Sequence, residues 1–214
     1  ALDSDQILAL NSTQIQALEA EDLNAFEEGE INALTKKFIQ ALTSTQINNL
    51  SSEQLQLLSA DQIAYLTQDQ VSNLSTDQLN LLTADQMAAL TTAQVRWLDS
   101  TQVANLTDEL LGAITADQLS KMLTSQIDNM TSAQLGLLSV DQLEGLTSAQ
   151  LRSLTADNVA NFSTDAIAAL STAQLRGMTA DQITALTGDQ ADALVADQLT
   201  ALNTAQVAAF ETAD

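Results

Sequence analysis

Hydrophobic and polar residues alternate along this chain with a period of eight. Thr83-Ala-Asp-Gln-Met-Ala-Ala-Leu90 is followed at once by Thr91-Thr-Ala-Gln-Val-Arg-Trp-Leu98. The register opens at Asp3 and runs without insertion or deletion to Phe210, which makes 26 octads. Position 5 is apolar throughout, with Ala191 its one small residue, and position 8 is always Leu, Ile, Met or Phe. Position 1 is Ser or Thr in 18 octads and Asp or Asn in four more, and position 4 is Gln in 20. Position 3 is most often Asp, position 7 is usually small, and position 6 varies freely. A period this regular marks a repeat architecture before any single residue is considered.

Each position has a physical reading. Ser or Thr at 1 with Gln at 4 is a capping box: the hydroxyl accepts the N–H three residues on, and Gln reaches back to the cap's own N–H. Position 8 of the preceding octad and position 5 then form the hydrophobic staple around that cap. Asp at position 3 sits in the first turn, where the helix dipole favours a negative charge. One octad therefore carries three signals for a helix start. Leu, Ala and Gln are good helix formers and sustain the helix beyond its cap. The spacing predicts a helix of about seven residues, roughly 10 Å long, over positions 2 to 8.

A single long helix does not fit, because eight residues overshoot two turns by about 80° and the apolar stripe would wind around the axis uncovered. A β-solenoid does not fit a chain rich in Ala, Leu and Gln. Energetics then dictate association. Two large apolar side chains per octad contribute roughly 3–6 kcal/mol on burial, against roughly 8–16 kcal/mol to order eight backbone units. Positions 5 and 8 must pack on neighbouring octads, with small residues at 7 allowing close approach. The expected fold is all-α, a superhelical α-solenoid of very short helices in one uninterrupted array over 1–214. Its contacts are nearest-neighbour. The partial alternation Ala133, Asp141, Ala149, Asp157 favours two octads per turn, although Asp165 breaks it. On that basis the array is expected to be a rod roughly 100–130 Å long, from helix spacings of about 8–10 Å.

Composition narrows the chemistry. The 214 residues include 28 Asp and Glu against six Lys and Arg, a formal charge of -22, with no Cys, His or Pro. Phosphate surfaces need clustered cations, so nucleic acid and anionic membranes are not expected partners. Disulfides, thiolate nucleophiles, His-based triads and Cys or His metal sites are excluded by residue type. No apolar run reaches the length of a membrane span. Ala1-Leu2-Asp3 has no signal-peptide features, so the chain reads as a mature product or a piece of something longer.

Departures from the pattern are the remaining candidates for chemistry. Residues 19–42 are the least regular and hold Glu19, Glu21, Asp22, Glu27, Glu28, Glu30, Lys36, Lys37 and Phe38. A cation site there competes with a solvated acidic face in which Asp22 and Glu30 replace Gln in the capping box. Asp61, Asp69, Asp77 and Asp85 recur at octad spacing, as a cation ladder or, more simply, as first-turn helix charges. An ice-binding array of Ser and Thr is opposed by capping, which occupies the hydroxyls. Lys121 and Arg152 are isolated, and Gly29, Gly112, Gly136, Gly145, Gly177 and Gly188 are scattered rather than gathered into a phosphate loop. Phe26, Tyr65, Trp97, Phe162 and Phe210 fall at positions 7 or 8 and read as core or groove filler. Leu123 and Val195 replace the cap, and Leu110 and Ala166 replace Gln; each is expected to weaken one kink without ending the array. No catalytic, cofactor-binding or metal-ligating residue is assigned.

Octads such as Thr179-Ala-Asp-Gln-Ile-Thr-Ala-Leu186 and Ser171-Thr-Ala-Gln-Leu-Arg-Gly-Met178 resemble the octapeptide-repeat regions of large bacterial surface or secreted proteins, some named for adhesion or haem utilisation. The resemblance implies an extracellular or cell-surface setting. Haem is not expected as a cofactor, since His is absent and Met87, Met122, Met130 and Met178 occupy core positions 5 or 8. The expected function is non-enzymatic: a stalk, spacer or filament component. The alternative is an adhesin-like module recognising a protein or glycan along the superhelix. Both terminal octads follow the internal pattern, with Leu8 adding apolar surface and Glu211-Thr-Ala-Asp214 opening another octad. Either the chain is excised from a longer array or copies stack end to end, and end-to-end self-association into oligomers or fibres is the expectation.

Overall fold

A computed structural model describes residues 4–210. It is all-α, with 26 short helices from α1 (Ser4–Ala9) to α26 (Thr204–Phe210), one per octad, so that helix n belongs to octad n. The terminal Ala1–Asp3 and Glu211–Asp214, including the start of a further octad, lie outside the described residues.

The helices are shorter than the spacing implies. Most have five or six residues and cover positions 2–6 or 2–7. Except in α26, which runs to Phe210, position 8 lies outside them; Leu90, for one, is extended at φ -56°, ψ 131°. The next cap is extended too: Thr91 has φ -66°, ψ 159°. Two consecutive extended residues turn the chain from one helix into the next. No described residue has a positive φ, so the bends need no glycine, and a chain with six Gly and no Pro makes all of them.

By packing, the chain forms two compact units, Ala1–Ala113 and Ile114–Asp214. Within each, helices pack on their third neighbours. In the first unit α2 (Ser12–Gln16) packs on α5 (Lys36–Ala41), and α8 (Ala60–Ala64) on α11 (Ala84–Ala89). In the second, α15 (Ala116–Lys121) packs on α18 (Val140–Gly145), and α23 (Ala180–Thr184) on α26. The expectation of two octads per turn is corrected accordingly: a turn of the coil takes between three and four. The reason is the interior. Positions 5 and 8 both point inward, and three or four short helices enclose a core where two cannot. Ile63, Val71, Met87 and Val95 at position 5 are fully buried, and Leu66, Leu74, Leu90 and Leu98 at position 8 nearly so. In the first unit, Leu23, Ile31, Ile39 and Ile47 meet Phe26, Leu34, Leu42 and Leu50 around one space of about 10 Å³, which is close to the limit for a single water.

Position 7 faces position 2 of the octad three steps away, and at two glycines the small residue is required by contact. A Cβ on Gly145 would lie 2.6 Å from the carbonyl oxygen of Ala116, and one on Gly177 2.7 Å from Cβ of Ser148. Where position 7 is large, the pair adapts: Nζ of Lys36 lies 5.8 Å from the centre of the Tyr65 ring. Among the described residues no helix is long and apolar enough to cross a membrane.

Candidate functional site

The chemistry of the repeat is concentrated at the buried fourth position. Gln94 shows the pattern. Its Oε1 accepts the N–H of Thr91 at 2.8 Å, and its own N–H donates to Oγ1 of Thr91 at 3.2 Å, which completes the capping box. The box occupies one end of the side-chain amide. At the other end, Nε2 donates to the carbonyl oxygens of Ile63 at 2.9 Å and Leu66 at 3.0 Å, positions 5 and 8 of the octad four earlier. Gln62, Gln70, Gln86, Gln102, Gln150 and Gln182 repeat the arrangement, with donations to carbonyls 31 and 28 residues back. The position-5 carbonyl also accepts the N–H of position 8 in its own octad, as Ile63 does from Leu66 at 3.1 Å, so the amide takes its second lone pair, while the position-8 carbonyl lies beyond the helix end. One side chain thus caps its own helix and closes the end of another, one turn of the coil away. Sequence reasoning identified the box and missed the second half. The signal was the preference for Gln over Glu: a carboxylate serves the box, and only an amide also donates.

A second amide acts from position 6, which is not free to vary everywhere. Asn24, Asn48 and Asn80 donate from Nδ2 to the backbone oxygens of Asn49, Asn73 and Asn105, three octads on, at 3.0, 2.7 and 2.8 Å. Their Oδ1 atoms accept the cap N–H of Ser51, Ser75 and Thr107, at 2.8, 2.8 and 3.1 Å. In those three octads Asn takes the N–H that Gln otherwise takes. Oε1 of Gln54 is consequently buried with no hydrogen-bond partner among the described residues. In octad 14, where Leu110 stands in place of Gln, Asn80 supplies the acceptor that Leu110 lacks. Leu123 and Val195 have no side-chain acceptor for their helices, yet their N–H groups still donate to Gln126 and Gln198 at 2.7 and 2.9 Å, so both bends persist.

The acidic candidates divide by role. A carboxylate oxygen of Asp22 accepts the N–H of Glu19 at 3.0 Å, and one of Glu30 that of Glu27 at 2.6 Å. Both do the box half of the Gln role. Asp69 accepts from Oγ of Ser44 at 2.8 Å, while Asp61, Asp77 and Asp85 are exposed. No group of three or more Asp or Glu among the described residues is gathered to hold a metal ion. Phe38, at position 4 of its octad, is buried and tilted against Phe26 with ring centres 6.3 Å apart. Met87, Met122, Met130 and Met178 are core residues.

The family model of the ALTTAQ repeat matches residues 39–68 and 159–196, one stretch in each unit. Comparison with curated proteins returned no match. The six letters of the family's description are spelled at Ala89-Leu90-Thr91-Thr92-Ala93-Gln94. Structurally that string is a helix exit, a buried staple, a cap, two first-turn residues and the ladder amide. The chain is a tandem-repeat protein, similar over these two stretches to the ALTTAQ repeat.

Proposed function

We propose that this chain is a non-enzymatic structural array, a stalk, spacer or filament component of a bacterial surface or secreted protein. The observation that carries the reading is the Gln ladder. The most regular polar side chain of the repeat is turned inward, and its hydrogen-bonding groups join one turn of the coil to another. Cohesion is thereby built into every regular octad, as an element under tension needs. The test is single-molecule extension of the chain between handles. Unfolding in many small steps, with recovery of the starting length on relaxation, is expected. One irreversible rupture would overturn the reading.

End-to-end association belongs to the same proposal. Leu199 and Val207, at a position 5 buried in most octads, are 42% and 43% exposed, an apolar face that a second copy or further octads of the same chain would cover. Sedimentation at rising concentration is expected to show oligomers; a strict monomer removes this part. The alternative reading, a module that recognises a protein or glycan along the coil, draws on the half-buried Tyr65 and Trp97 at position 7. Saturable binding on a glycan array, abolished by Trp97→Ala, would favour it over the spacer.

A further inference from the structure

We propose that the exposed asparagines at position 7 are acceptors for an N-linked sugar. In the first unit Asn49-Leu50-Ser51, Asn73-Leu74-Ser75 and Asn105-Leu106-Thr107 each have the Asn-x-Ser/Thr form, and in the second Asn129-Met130-Thr131 and Asn161-Phe162-Ser163 do. All five asparagines are exposed. In the first unit they are three and then four octads apart, and in the second four, the same steps that relate stacked octads. Asn48 and Asn80 link these sites to the adjacent turn, donating to the backbone oxygens of Asn73 and Asn105. In each unit the acceptors therefore recur about once per turn.

At Asn129 and Asn161 the backbone does not itself demand asparagine; Asn49, Asn73 and Asn105 lie at φ -100°, -102° and -106°. The five residues end five-residue helices, with Asn129 at φ -88°, ψ -2° and Asn161 at φ -88°, ψ -7°. Ala17 at φ -87°, ψ -7° and Ala185 at φ -81°, ψ -6° end equivalent helices in the same conformation. What asparagine adds is an exposed carboxamide followed two residues later by a hydroxyl. In Asn73, Asn105, Asn129 and Asn161, Nδ2 donates to the carbonyl four residues back at 2.6–2.8 Å. The transfer leaves that bond available. Nδ2 attacks the anomeric carbon of a nucleoside-diphosphate sugar, the new C–N bond forms as the anomeric C–O bond to phosphate breaks, the nucleoside diphosphate leaves, and one Nδ2 proton passes to base. The resulting secondary amide keeps one N–H for the same carbonyl, so the sugar and the helix end coexist.

The chain contains its own control. Asn11-Ser12-Thr13 is also a triplet, but Asn11 is an N-cap whose Oδ1 accepts the N–H of Gln14 at 3.0 Å. Asn48 and Asn80 head no triplet. The test is incubation of the folded chain with a soluble asparagine glucosyltransferase and UDP-glucose, read by intact mass, peptide mapping and circular dichroism. The expected result is hexose on Asn49, Asn73, Asn105, Asn129 and Asn161, less on Asn11, none on Asn48 or Asn80, and an unchanged helical signal. Asn73→Gln is expected to remove one hexose and leave the fold intact. Hexose on none of the five, equal transfer to Asn11 and the position-6 asparagines, or loss of helicity on modification would each overturn the proposal. It stands independently of the spacer reading.

Discussion

The cap N–H of an octad has two alternative acceptors, thirty residues apart in sequence. In octad 7 both are present, Asn24 and Gln54, and the second is left without a partner. In octad 14 only Asn80 is present, because Leu110 has none to offer. The two asparagines should therefore differ sharply. Asn80→Ala leaves the exposed N–H of Thr107 to water and is expected to cost about 0.5–1.5 kcal/mol. Asn24→Ala lets Gln54 close its box and should cost clearly less. Adding Leu110→Gln should recover part of the Asn80→Ala loss, unless its bulk and polarity cannot be housed. Denaturant melts of the three variants check this; equal losses for Asn80→Ala and Asn24→Ala would refute shared use of one N–H. The box was readable from the sequence because both partners lie within four residues. The donation to carbonyls 31 and 28 residues back was not, since local spacing carries no information about which octads stack.

At the level of the helix, the caps and the apolar pair do most of the specifying. Leu90, 3% exposed, should lose roughly 2–5 kcal/mol on truncation to Ala. Thr83→Ala removes a cap whose Oγ1 accepts from the N–H of Gln86 and should cost roughly 0.5–2 kcal/mol. Arg96→Ala, at an exposed position, should cost less than about 0.5 kcal/mol. Thermal or denaturant melts ranking Arg96 above Leu90 would show the faces to be misassigned. Glycines separate by position. Gly29 meets nothing within 4 Å, so Gly29→Ala is expected to stabilise by roughly 0.5–1 kcal/mol. Gly145→Ala drives a Cβ into the Ala116 backbone and should destabilise. Opposite signs in paired melts are the expected outcome. Helix existence and start points were legible in the Ser/Thr–Gln pattern. Helix length was overestimated, because position 8 is apolar whether it ends a helix or, as here, leads extended into the next cap.

For the molecule as a whole, the all-α coil of short helices was legible, and the number of octads per turn was misread. Asp at position 3 answers to its own helix dipole and is largely indifferent to the turn. Side chains that reach the next turn carry the period better: Asn24, Asn48 and Asn80 at position 6 each donate to a backbone oxygen three octads on. The two units also differ in how their turns are joined. The first has side-chain amides of Asn24, Gln40, Asn48, Gln56 and Asn80 reaching backbone oxygens 25 residues on, beside the Gln ladder. In the second, position 6 is held by residues such as Gly136, Glu144, Arg152, Ala160 and Arg176. Hydrogen exchange followed by mass spectrometry should therefore find helices of Ala1–Ala113 more protected, on average, than those of Ile114–Asp214. Equal protection would show that the position-6 amides add nothing measurable.

The pairing of Asn80 with octad 14 bears on how such a gene can change length. Tandem repeats invite slippage during replication, and most octads here are interchangeable: losing one in frame brings each later Gln opposite an equivalent pair of carbonyls. Between Asn80 and Leu110 that freedom ends. Removing or adding a single octad there would bring Asn80 opposite a helix that already has its own Gln, and leave the Leu110 helix with an unaccepted N–H. A matched pair of irregular residues thus fixes the copy number of the stretch between them, while the regular octads elsewhere remain free to expand or contract.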